Sequence, residues 1–376
     1  MWLSVKKHLM IYLRPLIFSI MKYRDLTILM SATSSNTMPG VYRSFKSIKE
    51  RNIRVVGMDM TSDPSAKFIV DAFYQVPPVS DEHYIDAVLD ICMNESVDIY
   101  FPSISAEVSK VSKRRKSFEQ IGTIVSISDE ESVAIANNKL HTYQALEKAG
   151  IPVPKYYGVH TIDEFIEGCK HMGYPEKPVC IKIVNGSGSR GVRIIDAKKS
   201  RYDIFAYEKP NSFYTSYEDM LAILKSAPKL DELMLLEVMH GPEFTVDMLA
   251  DKGTVLYEVG RENVVSLMSI AQESVIKYDE HAYKVAKDVV KLLKMDGNVG
   301  IDFMRNDKEE AVLMDINPRT TATLSLLAAG GLNLRYLRIK QLLGEPLPQC
   351  EPIYGTRLKR RYGEIYTDPD GKQIIM

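Results

Sequence analysis

The sequence predicts an α/β protein, with a doubly wound parallel sheet in its N-terminal part and an α+β region built from hairpins after it. Up to about residue 135, short apolar runs alternate with helical stretches, which is typical of a parallel sheet. The segment Gly150-Ile-Pro-Val-Pro154 then forbids helix continuation and indicates a domain boundary. Beyond it, apolar runs come in pairs around glycine-rich or charged turns, which predicts hairpins.

The N-terminal region divides into predicted strands and helices in regular alternation. The strands are Leu26–Met30, Ile53–Met58, Val97–Pro102 and Gly122–Ser126, and the helices are about Gly40–Glu50, Tyr84–Asn94 and Ala106–Ile121. The turn after the first strand, Ser31–Asn36, lacks the GxGxxG fingerprint of a dinucleotide site. This turn therefore does not favour an oxidoreductase that uses a nicotinamide cofactor.

The charge and cysteine content of the chain argue against a nucleic-acid-binding protein, a disulfide framework and a zinc site. The 376 residues include 48 Lys and Arg against 49 Asp and Glu, a formal net charge of −1, so no overall field favours nucleic acid. The basic stretch Lys110–Lys116 is interpreted as a solvated helix face. Cys92, Cys169, Cys180 and Cys350 lack CxxC spacing and predict neither a disulfide framework nor a zinc site. This cysteine usage fits a reducing cytoplasm, which is the predicted location.

Residues 1–24 are interpreted as an N-terminal extension of uncertain role. The apolar run within Met1–Ile20 is broken by Arg14-Pro15 and is too short to span a bilayer. It also lacks the small-residue cleavage site of a secretory signal. A basic helix lying in a membrane interface is the alternative, but the domain pattern begins only near Met21. No integral membrane association is predicted.

Helices are predicted on both sides of the prolines and again toward the C-terminus. A Thr-x-x-Glu capping box opens the helix that begins at Thr161. The predicted helical segments are Asp129–Lys148 (with Asn137-Asn-Lys139 inside it or just before it), Thr161–Met172, Tyr217–Ser226, a part of Ser274–Met295, and Thr320–Leu343 interrupted at Gly330-Gly331. Thr356–Tyr366 is predicted to be the last strand.

A glycine-rich loop joins two predicted strands, Pro178–Val184 and Val192–Ile195. The loop is Asn185, Gly186, Ser187, Gly188, Ser189, Arg190 and Gly191. A P-loop would end in Lys-Ser/Thr and open a helix, so this loop is interpreted as a flexible flap. Its backbone N–H groups can form a concave set of donors that suits phosphate oxygens. Lys182 can add a positive charge; the alternative is a glycine hairpin without a ligand.

Two glutamates flank the loop between the next two predicted strands, Leu233–Val238 and Glu243–Ala250. Glu237 and Glu243 could both hydrogen-bond the ribose and adenine edges of a nucleotide. Simple solvent exposure is the alternative for both side chains. The hairpin partner, Gly253–Val259, leads into Gly260-Arg261-Glu262-Asn263.

A second hairpin is predicted from two apolar runs, Val299–Met304 and Ala311–Ile316, that flank a charged turn. Period-two alternation assigns each side chain to a face of the hairpin. One face takes Ile301, Phe303, Met314 and Ile316, and the other takes Asp302, Asp315, Asn317, Met304 and Leu313. Carboxylate and amide oxygens suit Mg²⁺, which uses one or two protein carboxylates and leaves its other positions to phosphate and water. Two solvated acids beside a turn are the alternative.

The order of these motifs resembles the ATP-grasp superfamily, and within it proteins similar to the large subunit of carbamoyl phosphate synthase. The resemblance covers about Asp25 to Pro348 and is strongest at Lys182 with Asn185–Gly191 and at Met314-Asp-Ile-Asn-Pro-Arg319. It implies a two-lobed α+β ATP-grasp fold after a pre-ATP-grasp α/β domain. The implied limits are 25–135 for that domain, 136–215 for the N-terminal lobe with the flap, 216–350 for the C-terminal lobe with the Mg²⁺ site, and 351–376 for a C-terminal strand and tail.

The resemblance also implies nucleotide contacts. Lys139 and Lys182 would contact ATP phosphates or the N7 side of adenine, and Lys182 would compensate phosphate charge during catalysis. The flap Asn185–Gly191 would close over the phosphates. The strand end Leu236-Glu237-Val238 would be the adenine hinge, and Glu243 would hold the ribose hydroxyls.

Metal ligands and catalytic groups follow from the same resemblance. Asp302, Asp315 and Asn317 would bind one or two Mg²⁺, with Mn²⁺ as an alternative. Arg319 would stabilise the transferred γ-phosphoryl group, and Arg261 would lie near phosphate or the carboxylate substrate. The family usually has Gln or Glu where Asp302 stands and Glu where Asp315 stands. Because Asp is one methylene shorter, we expect the metal spacing or the flap closure to differ.

The predicted activity is ATP- and Mg²⁺-dependent ligation of a small-molecule carboxylate to an amine, or to a thiol, through an acyl phosphate. Carboxyphosphate chemistry like that of carbamoyl phosphate synthase is an alternative, although the chain has one copy of each motif and no visible glutaminase Cys/His arrangement. A non-catalytic ATP-binding sensor module is the other. A homodimer is considered as one option for the assembly.

Overall fold

A computed structural model describes residues 23–62, 65–186, 188–267 and 270–375 of the chain. Nearly all of the predicted N-terminal extension therefore lies outside the described residues, as does Ser187 of the flap. In the described ranges, no helix is long and apolar enough to cross a bilayer.

Strands and helices follow one another closely along the described chain. The strands are β1 (Leu26–Met30), β2 (Ile53–Asp59), β3 (Ala72–Gln75), β4 (Ile99–Phe101), β5 (Ile124–Val125), β6 (Tyr156–Val159), β7 (Val179–Ile183), β8 (Arg193–Ile195), β9 (Tyr214–Thr215), β10 (Leu233–Glu237), β11 (His240–Asp251), β12 (Thr254–Leu267), β13 (Ile270–Ile276), β14 (Gly297–Arg305), β15 (Ala311–Asn317), β16 (Arg357–Lys359), β17 (Tyr366–Thr367) and β18 (Gln373–Ile374). The helices are α1 (Met38–Lys46), α2 (Tyr84–Asn94), α3 (Ser105–Lys113), α4 (Arg115–Gln120), α5 (Glu130–Ala136), α6 (Lys139–Lys148), α7 (Ile162–Met172), α8 (Arg201–Tyr207), α9 (Tyr217–Ser226), α10 (Glu280–Leu292), α11 (Leu324–Ala329) and α12 (Leu334–Leu342).

One compact unit contains the described residues up to Ser103, together with Arg114–Ser126 and the described residues from Tyr362 onward. Its sheet has the strand order β3-β2-β1-β4-β5, and every neighbouring pair is parallel. The predicted doubly wound parallel sheet is confirmed. The sequence analysis did not identify β3, because its Ala-Phe-Tyr-Gln stretch is half-buried and short.

The second unit contains Ile104–Lys113 and Ile127–Arg361 and holds two sheets. One has the order β6-β10-β7-β8-β9, and the other is six-stranded with the order β15-β14-β11-β12-β13-β16. All neighbouring strands of the six-stranded sheet are antiparallel. One face of its central strands packs on α10 in a large apolar cluster. These α+β elements agree with the predicted fold class, while the predicted domain limits stay predictions.

The predicted helix Asp129–Lys148 is broken in the structure. Helix α5 ends at Ala136, and α6 begins at Lys139 with Asn138 as its N-cap, whose side chain accepts from the backbone N–H of His141. Asparagine favours an N-cap over a helix interior because its short side chain competes for backbone donors. The break therefore places Lys139 at the first helical position. The capping box at Thr161 is present as predicted.

The hairpin β14–β15 confirms the pairing of the two acids but not every side-chain direction. Asp302 lies opposite Asp315, and the register then shifts so that Phe303 pairs with Leu313. The shift is a β-bulge, in which the extra residue Met314 resets the alternation of β15. Leu313 consequently joins the apolar core, and Met314 packs in another cluster. The expected faces of these two residues were wrong, because strict alternation takes no account of a bulge.

Candidate active site

The acidic centre of the site is built from three neighbouring strands. Asp302 on β14 accepts a 2.6 Å hydrogen bond from the Thr245 hydroxyl on β11 and a 2.9 Å bond from the Asn317 amide on β15. Burial, and then the negative charge of Glu243, raises the pKa of Asp302 above its usual range. Two acids and an amide thus meet on one face of the sheet, as the alternation predicted.

Arg319 follows β15 and is held over this acidic centre. Its Nη2 donates to the Asn317 side-chain oxygen at 3.2 Å, its Nε to the Ser105 hydroxyl at 3.1 Å, and its Nη1 to the Thr320 carbonyl at 3.0 Å. Burial lowers the pKa of its guanidinium, although the charges of Asp315 and Asp302 oppose this. Arg319 is therefore a fixed cation beside two carboxylates.

Lys139 connects the acidic centre with the flap. Its ammonium group donates to the Gly186 carbonyl at 3.0 Å and lies 3.3 Å from a carboxylate oxygen of Asp315. Only 14% of the Lys139 side chain is exposed, against 37% for Asp315. Its position at the start of α6 results from the Asn138 cap.

The flap joins β7 to β8, which are antiparallel. Gly188, Ser189 and Gly191 have positive φ values of 62°, 58° and 71°. A Cβ on Gly191 would lie 2.4 Å from Cδ1 of Ile183, so this position requires glycine for space as well as for conformation. Lys182 and Arg190 line the cavity of about 250 Å³ beneath the flap, together with Lys139, Asp302 and Asp315.

Glu243 on β11 and Arg261 on β12 belong to a hydrogen-bonded group of side chains within the site. The Asn263 amide donates to the Glu243 carboxylate and its oxygen accepts from Arg261 Nη1 at 2.5 Å. Arg261 Nε donates to Asp247 at 2.7 Å, and the Thr321 hydroxyl donates to the other oxygen of Asp247 at 2.7 Å. Although burial acts to lower it, the charges of Asp247 and Asp302 raise the pKa of Arg261.

Three of these residues, Asp247, Asn263 and Thr321, were missed by the sequence analysis. Asp247 could have been found, because a carboxylate in the middle of the apolar run Phe-Thr-Val-Asp-Met-Leu must be paired if it is buried. Thr321 and Asn263 carry no such signal. Ser105 was missed as well, since it precedes Arg319 by more than two hundred residues.

Glu237 makes contacts that the sequence analysis did not predict. Its carboxylate accepts a 2.7 Å hydrogen bond from the backbone N–H of Lys155, and its own backbone N–H donates to the Lys155 carbonyl at 3.1 Å. One carboxylate oxygen of the side chain therefore joins β10 to the segment before β6, and a nucleotide contact at Glu237 stays a prediction. Val238 packs against the apolar core. An adenine hinge made from the backbone at these residues stays a prediction.

The donor set of the acidic centre fits Mg²⁺. Asp302 and Asp315 supply carboxylate oxygens, and Asn317 supplies an amide oxygen, all on the same face of β14 and β15. Mg²⁺ prefers such hard oxygen ligands and keeps water or phosphate in its remaining positions. Within the described ranges there is no cluster of three His, Cys, Asp or Glu side chains that could enclose a metal alone.

Two family models match this chain. Residues 229–361 match the model described as "ATP-grasp in the biosynthetic pathway with Ter operon", and residues 28–126 match the "PylC-like, N-terminal domain". Together these matches include β2–β5, the last three residues of β1 and the whole six-stranded sheet.

Curated relatives and solved structures agree with the two models. The chain is 23% identical over 287 residues to the carbamoyl phosphate synthase large chain of Clostridium acetobutylicum, covering 74% of this chain and 25% of that protein. It is 26% identical over 250 residues to the alpha-aminoadipate–LysW ligase LysX of Saccharolobus solfataricus, covering 64% and 82%. The structure described as a biotin carboxylase-beta-gamma-ATP complex from Campylobacter jejuni superimposes with a TM-score of 0.64 at 16% identity, covering 87% of this chain and 73% of that chain.

The chain thus spans about a quarter of the length of the carbamoyl phosphate synthase large chains that it matches. The structural likeness, at 16% identity, concerns the fold alone. The resemblance stated from the sequence motifs is confirmed by the match over residues 229–361, which contain Glu243, Arg261, Asp302, Asp315 and Arg319. The chain therefore carries an ATP-grasp domain, matched over residues 229–361, behind a PylC-like N-terminal domain, matched over residues 28–126.

Proposed function

We propose that this protein is a ligase that uses Mg·ATP to join a small-molecule carboxylate to an amine, or to a thiol, with ADP and phosphate as products. The observation that carries the proposal is the meeting of Asp302, Asp315 and Arg319 with Lys139 and the flap in one cavity. A cavity with that set of charges suits the transfer of a phosphoryl group. The relatives described above include ligases that join acids to amines.

In the first step, a carboxylate oxygen of the acid attacks the γ-phosphorus, and the bond between that phosphorus and the bridging oxygen of ATP breaks. ADP leaves, and the acid becomes an acyl phosphate. Lys182 and Arg319 compensate the charge of the phosphoryl oxygens, and this kind of stabilisation is the main contribution a protein makes to phosphoryl transfer. When bound by Asp302, Asp315 and Asn317, Mg²⁺ would supply further neutralisation of phosphate charge.

In the second step, the amine nitrogen attacks the carbonyl carbon of the acyl phosphate. The C–N bond forms, phosphate leaves with the electron pair of the C–O bond, and the nitrogen loses a proton. The flap excludes water, which would otherwise hydrolyse the acyl phosphate. The carboxylate and amine need no protein nucleophile, only alignment of the reacting atoms.

Two other functions compete with this proposal. Carboxyphosphate chemistry would use bicarbonate in place of an organic acid, and a sensor would bind ATP without turnover. Arg319 argues against the sensor, because it is partly buried and is held beside the acidic centre by three hydrogen bonds. A nucleotide-binding module has no need of such a fixed cation there.

Cytoplasmic location and a homodimer belong to the proposal as well. All four cysteines are free thiols, and three of them are buried. Burial raises the pKa of Cys92 and Cys169 to about 12, so these thiols are poorly reactive. Free thiols of this kind support a reducing compartment. Size-exclusion chromatography with light scattering would test the homodimer.

The proposed function is tested by an ADP-release screen of the purified protein with Mg·ATP. Pairs drawn from amino acids, other carboxylates, amines, thiols and bicarbonate are supplied, with Arg319→Ala as the control that should be inactive with every pair. We expect ADP release that requires both an organic acid and a nucleophile. Release with bicarbonate and ammonia alone would favour carboxyphosphate chemistry. Binding of Mg·ATP by calorimetry without release from any pair would favour the sensor.

A further inference from the structure

Asp247 is a buried carboxylate at the centre of the six-stranded sheet that has no role in the steps described above. It lies on β11 between Val259 of β12 and Gly300 of β14, and only 1% of its surface is exposed. A buried carboxylate is costly unless it is paired and hydrogen-bonded. Asp247 meets both conditions through two side chains that line the cavity, Arg261 and Thr321.

Gly300 makes room for this contact. A Cβ at that position would lie 2.3 Å from the Thr321 side chain and 3.0 Å from a carboxylate oxygen of Asp247. The absence of a side chain on β14 therefore lets the Thr321 hydroxyl reach across the sheet to Asp247. Arg335 completes the arrangement by donating to the Thr321 carbonyl at 2.8 Å.

Two of the three guanidinium nitrogens of Arg261 donate hydrogen bonds to neighbouring side chains. Nε donates to Asp247, and Nη1 donates to the Asn263 oxygen, which also accepts from the Ser274 hydroxyl at 3.1 Å. Among the residues that the structure describes, Nη2 makes no hydrogen bond. Arg261 is only 4% exposed, so its guanidinium has little freedom to turn. It can therefore present Nη2 to an anion without losing further rotamer entropy.

We propose that Asp247 is a positioning residue that aims Nη2 of Arg261 at the anionic carboxylate of the acid substrate and at the acyl phosphate formed from it. The inference rests on the proposed function, because it assigns the acid to the Arg261 side of the cavity. Asp247 does not touch the substrate itself. It acts by fixing the direction of the guanidinium and the place of Thr321 in the same wall.

The test uses inorganic phosphate as an anionic probe in the presence of Mg·ADP, and it reads the Nε–H NMR signal of Arg261. That signal is assigned from its loss in Arg261→Lys. In the unaltered protein we expect slow solvent exchange of this proton and a shift on adding phosphate. In Asp247→Asn we expect faster exchange and about tenfold weaker phosphate binding, equivalent to the loss of one charge-assisted hydrogen bond.

Asp296→Asn is the matched control. Asp296 pairs with the buried Arg338 at 2.6 Å, at a place that does not line the cavity. This variant should lose stability without any change in phosphate affinity. If Asp247→Asn does not fold, Arg261→Lys carries the phosphate-affinity part of the test and should weaken phosphate binding, since a lysine ammonium cannot bond Asp247 and Asn263 and still face an anion.

Three outcomes would overturn the proposal: no phosphate-dependent shift of the Arg261 signal, unaltered phosphate affinity in Asp247→Asn, or equal weakening in Asp296→Asn. The ligase screen is independent of all three. A protein that binds phosphate as expected but ligates no pair would contradict the proposed ligation and leave Asp247 as the positioning residue of an anion site. When the screen does identify an acid, Asp247→Asn should raise KM for that acid and change KM for ATP by less than about twofold.

Discussion

The five-stranded parallel sheet and the six-stranded antiparallel sheet bury their strands in different ways. In the parallel sheet, β1, β2 and β4 are buried along nearly their whole length, and their charged residues, Arg54 and Asp59 of β2, lie at its less buried positions. In the antiparallel sheet, one face of β11 is apolar, while the other carries Thr245 and Asp247. Helices cover both faces of parallel sheets, whereas an antiparallel sheet can keep one face for chemistry.

The hydroxyl groups of the two sheets are used differently as well. In the turn after β1, the Thr33 hydroxyl donates to backbone carbonyls, and Ser34 and Ser35 bond other hydroxyl groups of the same unit. In the antiparallel sheet, the hydroxyls of Thr245 and Thr321 bond carboxylates of the site. Polar residues at the end of a strand are therefore weak indications of a ligand unless they are joined to charged groups.

The largest effect should come from the acidic centre. Asp315→Asn removes a negative charge and replaces one of the two carboxylate oxygens by an amide nitrogen while it keeps the volume of the side chain, so we expect Mg²⁺-dependent ADP production to be lost. Thermal unfolding of the apoprotein should change little, since 37% of the Asp315 side chain is exposed. The measurement is ADP release against Mg²⁺ concentration. Undiminished release in Asp315→Asn would contradict the metal assignment.

The next effect should come from Arg319→Ala, with turnover reduced by about 10²–10³-fold, the usual loss when one group that stabilises developing charge is removed. ATP binding, measured by calorimetry, should persist because Lys139, Lys182 and the flap remain. Ser105→Ala is the control for orientation, because it removes one of the bonds that hold Arg319. A parallel loss of ATP affinity and turnover would mean that Arg319 is only a binding residue.

The sequence analysis predicted the pairing of Asp302 with Asp315 better than the contacts around it. The reason is that the pairing depends on local alternation, whereas most of the surrounding contacts join residues far apart in the chain. Alternation along β14 and β15 is local, so Asp302 and Asp315 could be paired from a few residues each. The bulge at Met314 also is local, but no residue type marks it. Asp247 and Thr321 are brought together by strand order and by the open space at Gly300, which depend on contacts far apart in the chain. The Glu237–Lys155 bond is of the same kind.

A third prediction tests whether the apolar face of β14, which carries Ile301, acts independently of the face that carries Asp302. Ile301 is fully buried on the apolar face, so Ile301→Ala should lower the free energy of unfolding by about 2–5 kcal/mol, the usual cost of such a cavity. Denaturant unfolding measures this change. Activity per folded molecule should be nearly unaltered at low temperature. Loss of activity at full stability would mean that the two faces are not independent.

The smallest effect should be in the turn after β1. Ser34→Ala removes a hydroxyl that bonds Thr61 at 3.0 Å near the surface, so stability should change by less than about 0.5 kcal/mol. KM for ATP should be unchanged, and calorimetry should detect no NAD(P) binding to the unaltered protein, since the turn has no glycine fingerprint.

The matched change in the antiparallel sheet is Thr245→Val, which removes the hydroxyl bonded to Asp302 and should reduce turnover. Equal effects of the two hydroxyl deletions on KM or turnover would remove the distinction between the sheets and would give the parallel sheet a part in nucleotide binding.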